Sequence, residues 1–583
     1  MESESLAYYL NESKKISLNK HDKKIKIALL SSFSINGLSD VLRVKCNQKK
    51  TQAQIYEGAY NQYSQEILDI NSELYVFQPE ITFLLIDLRS LIGNLFYIPY
   101  SISNEERKNI VDKKISEISN LISIFKKNSS SKLIISNFSI PTHSSYGISD
   151  KNNEFGFHEM IETLNLKLQE KIRTFNSVFL FDFNRFVNKF GENNVFNYRS
   201  FFFGDVKVDL NYLPELGNQL FSFIIAFLGI SKKCIILDLD NTLWGGIVGE
   251  DGFDGIKLGK TPPGNAFHEF QFHLKALSER GIILSINSKN NFDDAMKVIK
   301  EHPDMVLREN DFSCIAINWE NKIDNMKSIS NQLNIGLDSF VFFDDDPVNR
   351  ELIRKNLPDV LTPELPSDPS YFSKILNEIN EFSLFKITDE DIIRNKSYSD
   401  QKRRIELESS SKNIDDFLNL LDLKLIFKKA TDFTIPRISQ LTLKTNQFNL
   451  TTKRYQENDI KEFSKDPNML VGCIQVKDKF GDSGITGVFI VKKNNPLEWE
   501  VDTFLLSCRV MGREIEKGMM NYIIDEAKKN KVEKIKAKYI PSDKNKPIEK
   551  FLSSCDFEKD KNYWIYPTSK SFKNPEFLNI TIE

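Results

Sequence analysis

The chain has 583 residues, 40% of them hydrophobic and 27% charged, with a net charge of -3. This is the make-up of a globular protein of about three to five domains, without the overall basic charge that nucleic-acid binding favours. The longest apolar run, residues 220–230, is too short to span a bilayer and fits a buried helix, so no membrane association is expected. Residues 1–15 are polar and lack the apolar centre of a secretory signal. The six cysteines are scattered with no CxxC pair, so neither zinc nor a disulfide framework is expected, and a reducing cytoplasmic setting is.

In chain order, short apolar runs at 24–32, 81–87, 132–136 and 177–182 predict strands, with amphipathic stretches such as 105–126 between them. That alternation argues for a parallel α/β domain. The strand ends carry Ser31, Ser32, Ser34, Asp87, Asn137 and Asp182, where an open α/β sheet places its site, although the same residue types belong in any strand-end turn. Arg185 stands three residues after Asp182, where a serine hydrolase would want its histidine base. A docking or substrate-holding domain is therefore expected here.

The central region is organised around KCIILDLDNTLW, residues 233–244. It reads as a buried strand, 234–239, running into two acids, Asp238 and Asp240, on one face. Burying two unpaired charges is costly, so a metal or a reaction is implied. Further strands at 281–288 and 339–346 end in Ser288-Lys289 and in Asp344, Asp345 and Asp346, and a helix opens at Lys322. In a doubly wound sheet these groups converge beyond the strands. The set suits phosphoryl transfer through an aspartyl phosphate. Asp238 is the candidate nucleophile and Asp240 the general acid/base. Thr242, Ser288 and Lys289 are candidate phosphate contacts, with Lys322 neutralising the transferring group. Mg²⁺ would be held by the Asp238 carboxylate, the Asp240 carbonyl and a late acid, Asp344 or Asp345.

Residues 375–411 read as a charged, helix-prone linker. Strands are predicted at 423–427, 470–477, 484–492 and 499–506, and a helix at 515–528. Cys508, Arg509 and Gly512 lie in the loop before that helix, a layout that suits backbone N–H groups facing a pyrophosphate. A cation beside Cys508 would also lower its thiol pKa, although a buried strand-end cysteine is the commoner case. The lysine-rich run 528–538 reads as a solvated helix end.

DLDNTLWGGIVGEDG (238–252), SKNN (288–291), NWENK (318–322) and FFDDDPVNR (342–350) together resemble the haloacid-dehalogenase-like (HAD) phosphatases of subfamily IIIC, and more narrowly the FkbH-like proteins. The resemblance implies Asp238 as nucleophile, Asp240 as acid/base, Ser288 and Lys322 as phosphate contacts, and Asp345 ahead of Asp344 as the magnesium acid. It extends to residues 59–74, which look like the family's helix before the strand ending at Asp87, and to NQFNLTTKRY (446–455), DKFGDSG (478–484) and SCRVMGRE (507–514). The implied fold class is α/β and multidomain. An SGNH-hydrolase-like α/β domain (1–229) precedes a doubly wound HAD core (230–374), the linker (375–411) and a GNAT-like α+β acyltransferase domain (412–583).

FkbH-like proteins dephosphorylate 1,3-bisphosphoglycerate and load its glyceryl unit onto an acyl carrier protein. The resemblance therefore implies a Mg²⁺-dependent phosphatase/acyltransferase, a phosphorylated small-molecule substrate and an acyl carrier partner. Members of this type tend to carry Cys just before the Ser of the second motif, where this chain has Asn287, so the resemblance makes Cys508, with Arg509 and Gly512 of its loop, the acyl-transfer candidates. Two other readings stand beside it: a small-metabolite phosphatase without acyl transfer, and a non-catalytic scaffold for the carrier.

Overall fold

The computed structural model describes residues 4–16, 23–392, 400, 403–404, 407–445, 447–542, 545–561 and 563–583. The chain forms two compact units, Met1–Ile224 and Ile225–Glu583.

The first unit holds a five-stranded parallel sheet in the order β2-β1-β3-β4-β5. Its strands are β1 (Lys23–Ser31), β2 (Thr51–Glu57), β3 (Ile81–Leu85), β4 (Lys132–Ser136) and β5 (Val178–Phe181). β3 and β4 are buried along their whole length, as strands covered on both faces must be. Residues 220–228 of the apolar run predicted to be a buried helix lie in the helix Leu213–Leu228, which ends before Gly229 and Ile230. The helix expected over 59–74 is instead two short ones, Tyr63–Leu68 and Glu73–Phe77. Asp69 takes an extended conformation at the first helix's end, and Ser72 Oγ donates to Glu66 O at 2.7 Å. These local side-chain bonds compete with the helix.

The second unit contains a four-stranded parallel sheet, order β8-β7-β6-β9, built from β6 (Cys234–Leu237), β7 (Ile283–Ser288), β8 (Phe312–Ile317) and β9 (Phe340–Phe343). Cys234 and Ile236 face one apolar core with Phe340 and Phe342, while Ile235 and Leu237 face another with Val341 and Phe343. Such full burial of each large apolar side chain contributes about 1.5–3 kcal/mol and anchors the polar loops that follow. Asn291, Asn321 and Asp346 cap the helices after β7, β8 and β9 through their own side chains.

The C-terminal sheet is mixed and runs β16-β17-β15-β14-β13-β12-β10-β18, with β11 added to β14. Its strands are β10 (Lys424–Lys429), β11 (Phe448–Asn449), β12 (Met469–Asp478), β13 (Gly481–Asn495), β14 (Glu498–Leu506), β15 (Lys534–Ala537), β16 (Glu558–Asp560), β17 (Tyr563–Pro567) and β18 (Asn579–Ile582). The lysine-rich run corrects the sequence reading. Lys534–Ala537 pairs parallel to β14 with Ile535 and Ala537 buried, so its lysines alternate with core residues. Of the segment expected as a linker, 393–399, 401–402 and 405–406 lie outside the described residues. Arg404 within it is buried and pairs in two-point fashion with Asp478, at 2.7 and 3.0 Å.

Candidate functional site

At the C-terminal end of β6 the backbone of Asp238 still bonds Phe343 O, at 2.9 Å, so the neighbouring strand β9 fixes its position. Asp344 and Asp345 follow β9 directly. One carboxylate oxygen from each of Asp238, Asp344 and Asp345 lies within 4.8 Å of the others. Lys322, the first residue of the helix Lys322–Leu333, enters from beside β8. It is only 1% exposed, and its Nζ contacts Asp238 Oδ2 at 2.7 Å and Asp344 Oδ2 at 2.6 Å.

The electrostatics follow from burial. Burial and the Asp238 charge push Asp344 and Asp345 each up to about 6. Burial opposes the charge on Lys322, but Asp238 and Asp344 more than offset it and hold its pKa above the ordinary lysine value. One lysine therefore faces three acids, a deficit of positive charge. Asp238 Oδ1 is buried and has no hydrogen-bond partner among the described residues. An orphaned anionic oxygen amid three convergent carboxylates fits a hard divalent cation with oxygen ligands, such as Mg²⁺.

Asp240 is not among these three. Its Oδ1 accepts from Trp244 Nε1 at 2.8 Å and Val248 N at 3.1 Å, and its Oδ2 from Asn290 Nδ2 at 2.8 Å. Burial raises the Asp240 pKa against those donors, and the Asp238 charge adds to the rise. The turn between them is made by Asn241, at φ 53, whose side chain accepts from Gly246 N at 2.8 Å. That left-handed conformation suits Asn better than most residues.

Thr242 is fully buried and its Oγ1 accepts from Asp345 N at 3.2 Å, so it stands against the last loop. Ser288 is buried at the end of β7, while Lys289 is exposed. Asn287, one step earlier, donates to Lys322 O at 2.9 Å and accepts from Asn325 Nδ2 at 3.2 Å. Arg350, buried, donates to the carbonyls of Asp344 and Asp345 at 2.8 and 2.6 Å and braces the acidic loop from behind. Sequence reasoning gave no role to Trp244, Asn290, Asn325 or Arg350. All but Asn325 lie inside the quoted motifs, and that was the available signal.

The loop candidates of the C-terminal region sit apart from these acids in sequence and are engaged elsewhere. The Cys508 carbonyl accepts from Asn334 Nδ2 at 2.9 Å. Gly512 is exposed at φ 79. Next to it, Arg513 bonds Asp478 at 3.2 Å and Arg509 O at 2.9 Å, so the DKFGDSG and SCRVMGRE motifs are joined to each other and to Arg404. The third motif meets a different acid. Lys453 at 2.5 Å and Tyr455 at 2.5 Å both bond buried Asp502. Asn446 of that motif lies outside the described residues.

In the first unit, the strand-end polar residues are used as staples. Ser32 Oγ accepts from Asp87 N at 2.7 Å, Asp87 pairs with buried Lys207, and Asn137 donates to Asp182 at 2.8 Å. No helix among the described residues is long and apolar enough to cross a membrane.

Residues 26–225 match the family model of the FkbH N-terminal domain. Among solved structures, the chain is similar to the N-terminal part of the protein BF1531 from Bacteroides fragilis, described as containing a phosphatase domain and complexed with Mg. That likeness has 29% identity and a TM-score of 0.61, over 66% of this chain and 100% of the other. The ribosomal-protein-S18-alanine N-acetyltransferase of Escherichia coli is 11% identical with a TM-score of 0.21, over 26% of this chain and 98% of that one. The Campylobacter jejuni N-acetyltransferase PseH is 17% identical with a TM-score of 0.17, over 24% and 94%. These last two likenesses are too weak to identify a fold. No curated protein matches the chain.

Proposed function

We propose that the chain is a Mg²⁺-dependent phosphatase that forms an aspartyl phosphate on Asp238. The observation that carries this is the cluster itself: Asp238 with an orphaned buried oxygen, Asp344 and Asp345 beside it, and Lys322 bridging Asp238 and Asp344. The likeness to a Mg-complexed phosphatase domain supports it. Asp238, Asp344 and Asp345 would hold the ion, which when bound neutralises the carboxylates and the phosphoryl oxygens.

Asp238 attacks phosphorus while the bond to the leaving oxygen breaks, and Asp240 gives that oxygen its proton. In the second step Asp240 takes a proton from water, the water oxygen bonds phosphorus, and Asp238 leaves with its electron pair. Lys322 balances charge on the transferring group.

The finer reading is that this phosphatase serves a loading reaction. The thiol of an acyl carrier protein takes the acyl unit of the phosphorylated three-carbon donor 1,3-bisphosphoglycerate with the C1 phosphate as leaving group, and hydrolysis through Asp238 releases the C3 phosphate to leave the glyceryl thioester, in the cytoplasm. The match to the FkbH N-terminal domain supports it. The test is the intact mass of a candidate carrier after incubation with the protein, Mg²⁺ and 1,3-bisphosphoglycerate. A gain of one glyceryl unit without phosphate is expected. Phosphate release without that gain selects the narrower reading, a small-metabolite phosphatase. One observation favours the narrower reading: both polar ends of the Asn287 side chain are committed to Lys322 O and Asn325. Unchanged phosphate release by Asp238→Asn excludes both enzymatic readings.

A further inference from the structure

The three donors around Asp240 do not share its carboxylate evenly. Oδ1 accepts two N–H groups, Trp244 Nε1 and Val248 N, and Oδ2 accepts one, Asn290 Nδ2. A carboxylate oxygen offers two lone pairs. With both lone pairs of Oδ1 filled by donors, Oδ2, which accepts one N–H among the described residues, keeps a lone pair on which a proton can sit. The donors come from separate elements. Trp244 and Val248 lie on the loop after β6, and Asn290 lies on the loop after β7. The carboxylate is therefore held from two directions, with its plane fixed.

The indole that makes the first bond is itself enclosed by the core. Trp244 is fully buried in the apolar core under the sheet, together with Leu243 and Phe267. Gln271, also buried, donates to Leu243 O at 2.8 Å and accepts from Val306 N at 2.9 Å, which pins the backbone beside Trp244 to the rest of the core. A tryptophan buried to that depth needs a partner for its N–H. Here it takes the carboxylate of Asp240, which stands outside the metal-type cluster.

We propose that Trp244 and Asn290 are positioning residues for Asp240: they lock its carboxylate so that Oδ2 alone presents the transferable proton to the leaving oxygen. This rests on the phosphatase reading, in which Asp240 is the acid. Both side chains donate to the Asp240 carboxylate, so an effect exerted through Asp240 should scale with how much the leaving group needs a proton. A dinitrophenolate departs as the anion, whereas a phenolate leaves far better when protonated. A purely structural contribution would not distinguish the two.

The experiment compares Trp244→Phe and Asn290→Ala with wild type on dinitrophenyl phosphate and phenyl phosphate, with Mg²⁺, reading kcat/KM. Melting curves establish that each variant is folded. The expected loss is about tenfold or more on phenyl phosphate, a part of the roughly 10²–10⁴ that a general acid supplies, against less than about threefold on dinitrophenyl phosphate. Equal losses on the two esters, or no loss on phenyl phosphate, would overturn the assignment. Should Trp244→Phe not fold, Asn290→Ala decides alone, because it removes the single donor to Oδ2 without opening the apolar core. Wild type that releases no phosphate from either ester contradicts the phosphatase reading itself, a different failure from a wild type that is active while its variants lose both substrates equally.

Discussion

Lys322→Met separates the charge account of the site from a generic packing account. The methionine keeps an unbranched apolar stem and removes only the cation. In the structure that cation is 1% exposed and lies 2.7 Å from Asp238 and 2.6 Å from Asp344. A unit-charge pair about 4 Å apart is worth about 4 kcal/mol at an effective dielectric of 20, before the cost of desolvating the lysine. Removing one partner of such a buried set typically costs about 3–5 kcal/mol, because the acids left behind are uncompensated. In chelator, urea unfolding of the unit that contains the site should therefore shift by about that amount. Magnesium should stabilise the variant more than wild type, since three acids then face no lysine. Turnover should still fall, by about 10²–10³ in kcat/KM, the usual loss of one charge-stabilising group. The combination is the signature: stronger stabilisation by metal with weaker catalysis. A variant that unfolds like wild type in chelator, or gains no extra stability from magnesium, would refute the reasoning.

Other consequences are as direct. Asp344 and Asp345 are each pushed up to about 6 by burial and the Asp238 charge, and metal binding needs them ionised, so calorimetry should show Mg²⁺ affinity falling as the pH drops through about 6. In chelator the sign for stability is the opposite. The folded chain keeps protons that the unfolded chain gives up near pH 4, so these two acids contribute most below about 4 and that contribution is lost as the pH rises through about 6. Arg404→Ala removes the two-point partner of buried Asp478 but leaves Arg513 bonded to it, so urea denaturation should show a loss of about 1.5–3 kcal/mol in the C-terminal sheet, the range for hydrogen bonds to a charged group. Gly281 sits at φ 96, and an added Cβ would lie 1.7 Å from Asp391 O, so Gly281→Ala should lower the melting temperature measurably, with both strain and overlap acting.

Two kinds of strand can be read from this sequence. Apolar runs mark β1, β3, β4 and β5 of the first unit and β6, β7 and β9 of the second, while alternation between turn residues marks β10, β12, β13 and β14 of the C-terminal sheet. β2, TQAQIYE, is an edge strand with alternating polar residues, and β15, KIKA, hides its two core residues among lysines. Both are strands because of what lies beside them, which local pattern does not record. The site divides along the same line. Asp238, Lys322, Asp344 and Asp345 were legible because acids and a lysine at buried strand and helix ends are costly without a purpose. The roles of Trp244 and Asn290 were not, because each depends on reaching Asp240 across a loop. Thr242, a candidate phosphate contact from its place after Asp240, also reaches the last loop, where its hydroxyl accepts from the backbone of Asp345, a pairing that local sequence does not record.

The measurement that tests the central claim most directly is a borohydride quench of the protein turning over an aryl phosphate with Mg²⁺, followed by peptide mass analysis around residue 238. An aspartyl phosphate is an acyl phosphate, which borohydride reduces to the alcohol, so the account predicts homoserine at position 238 in wild type, dependent on substrate. Phosphate release with an unmodified aspartate at 238, or with the modified residue elsewhere in the chain, would contradict it.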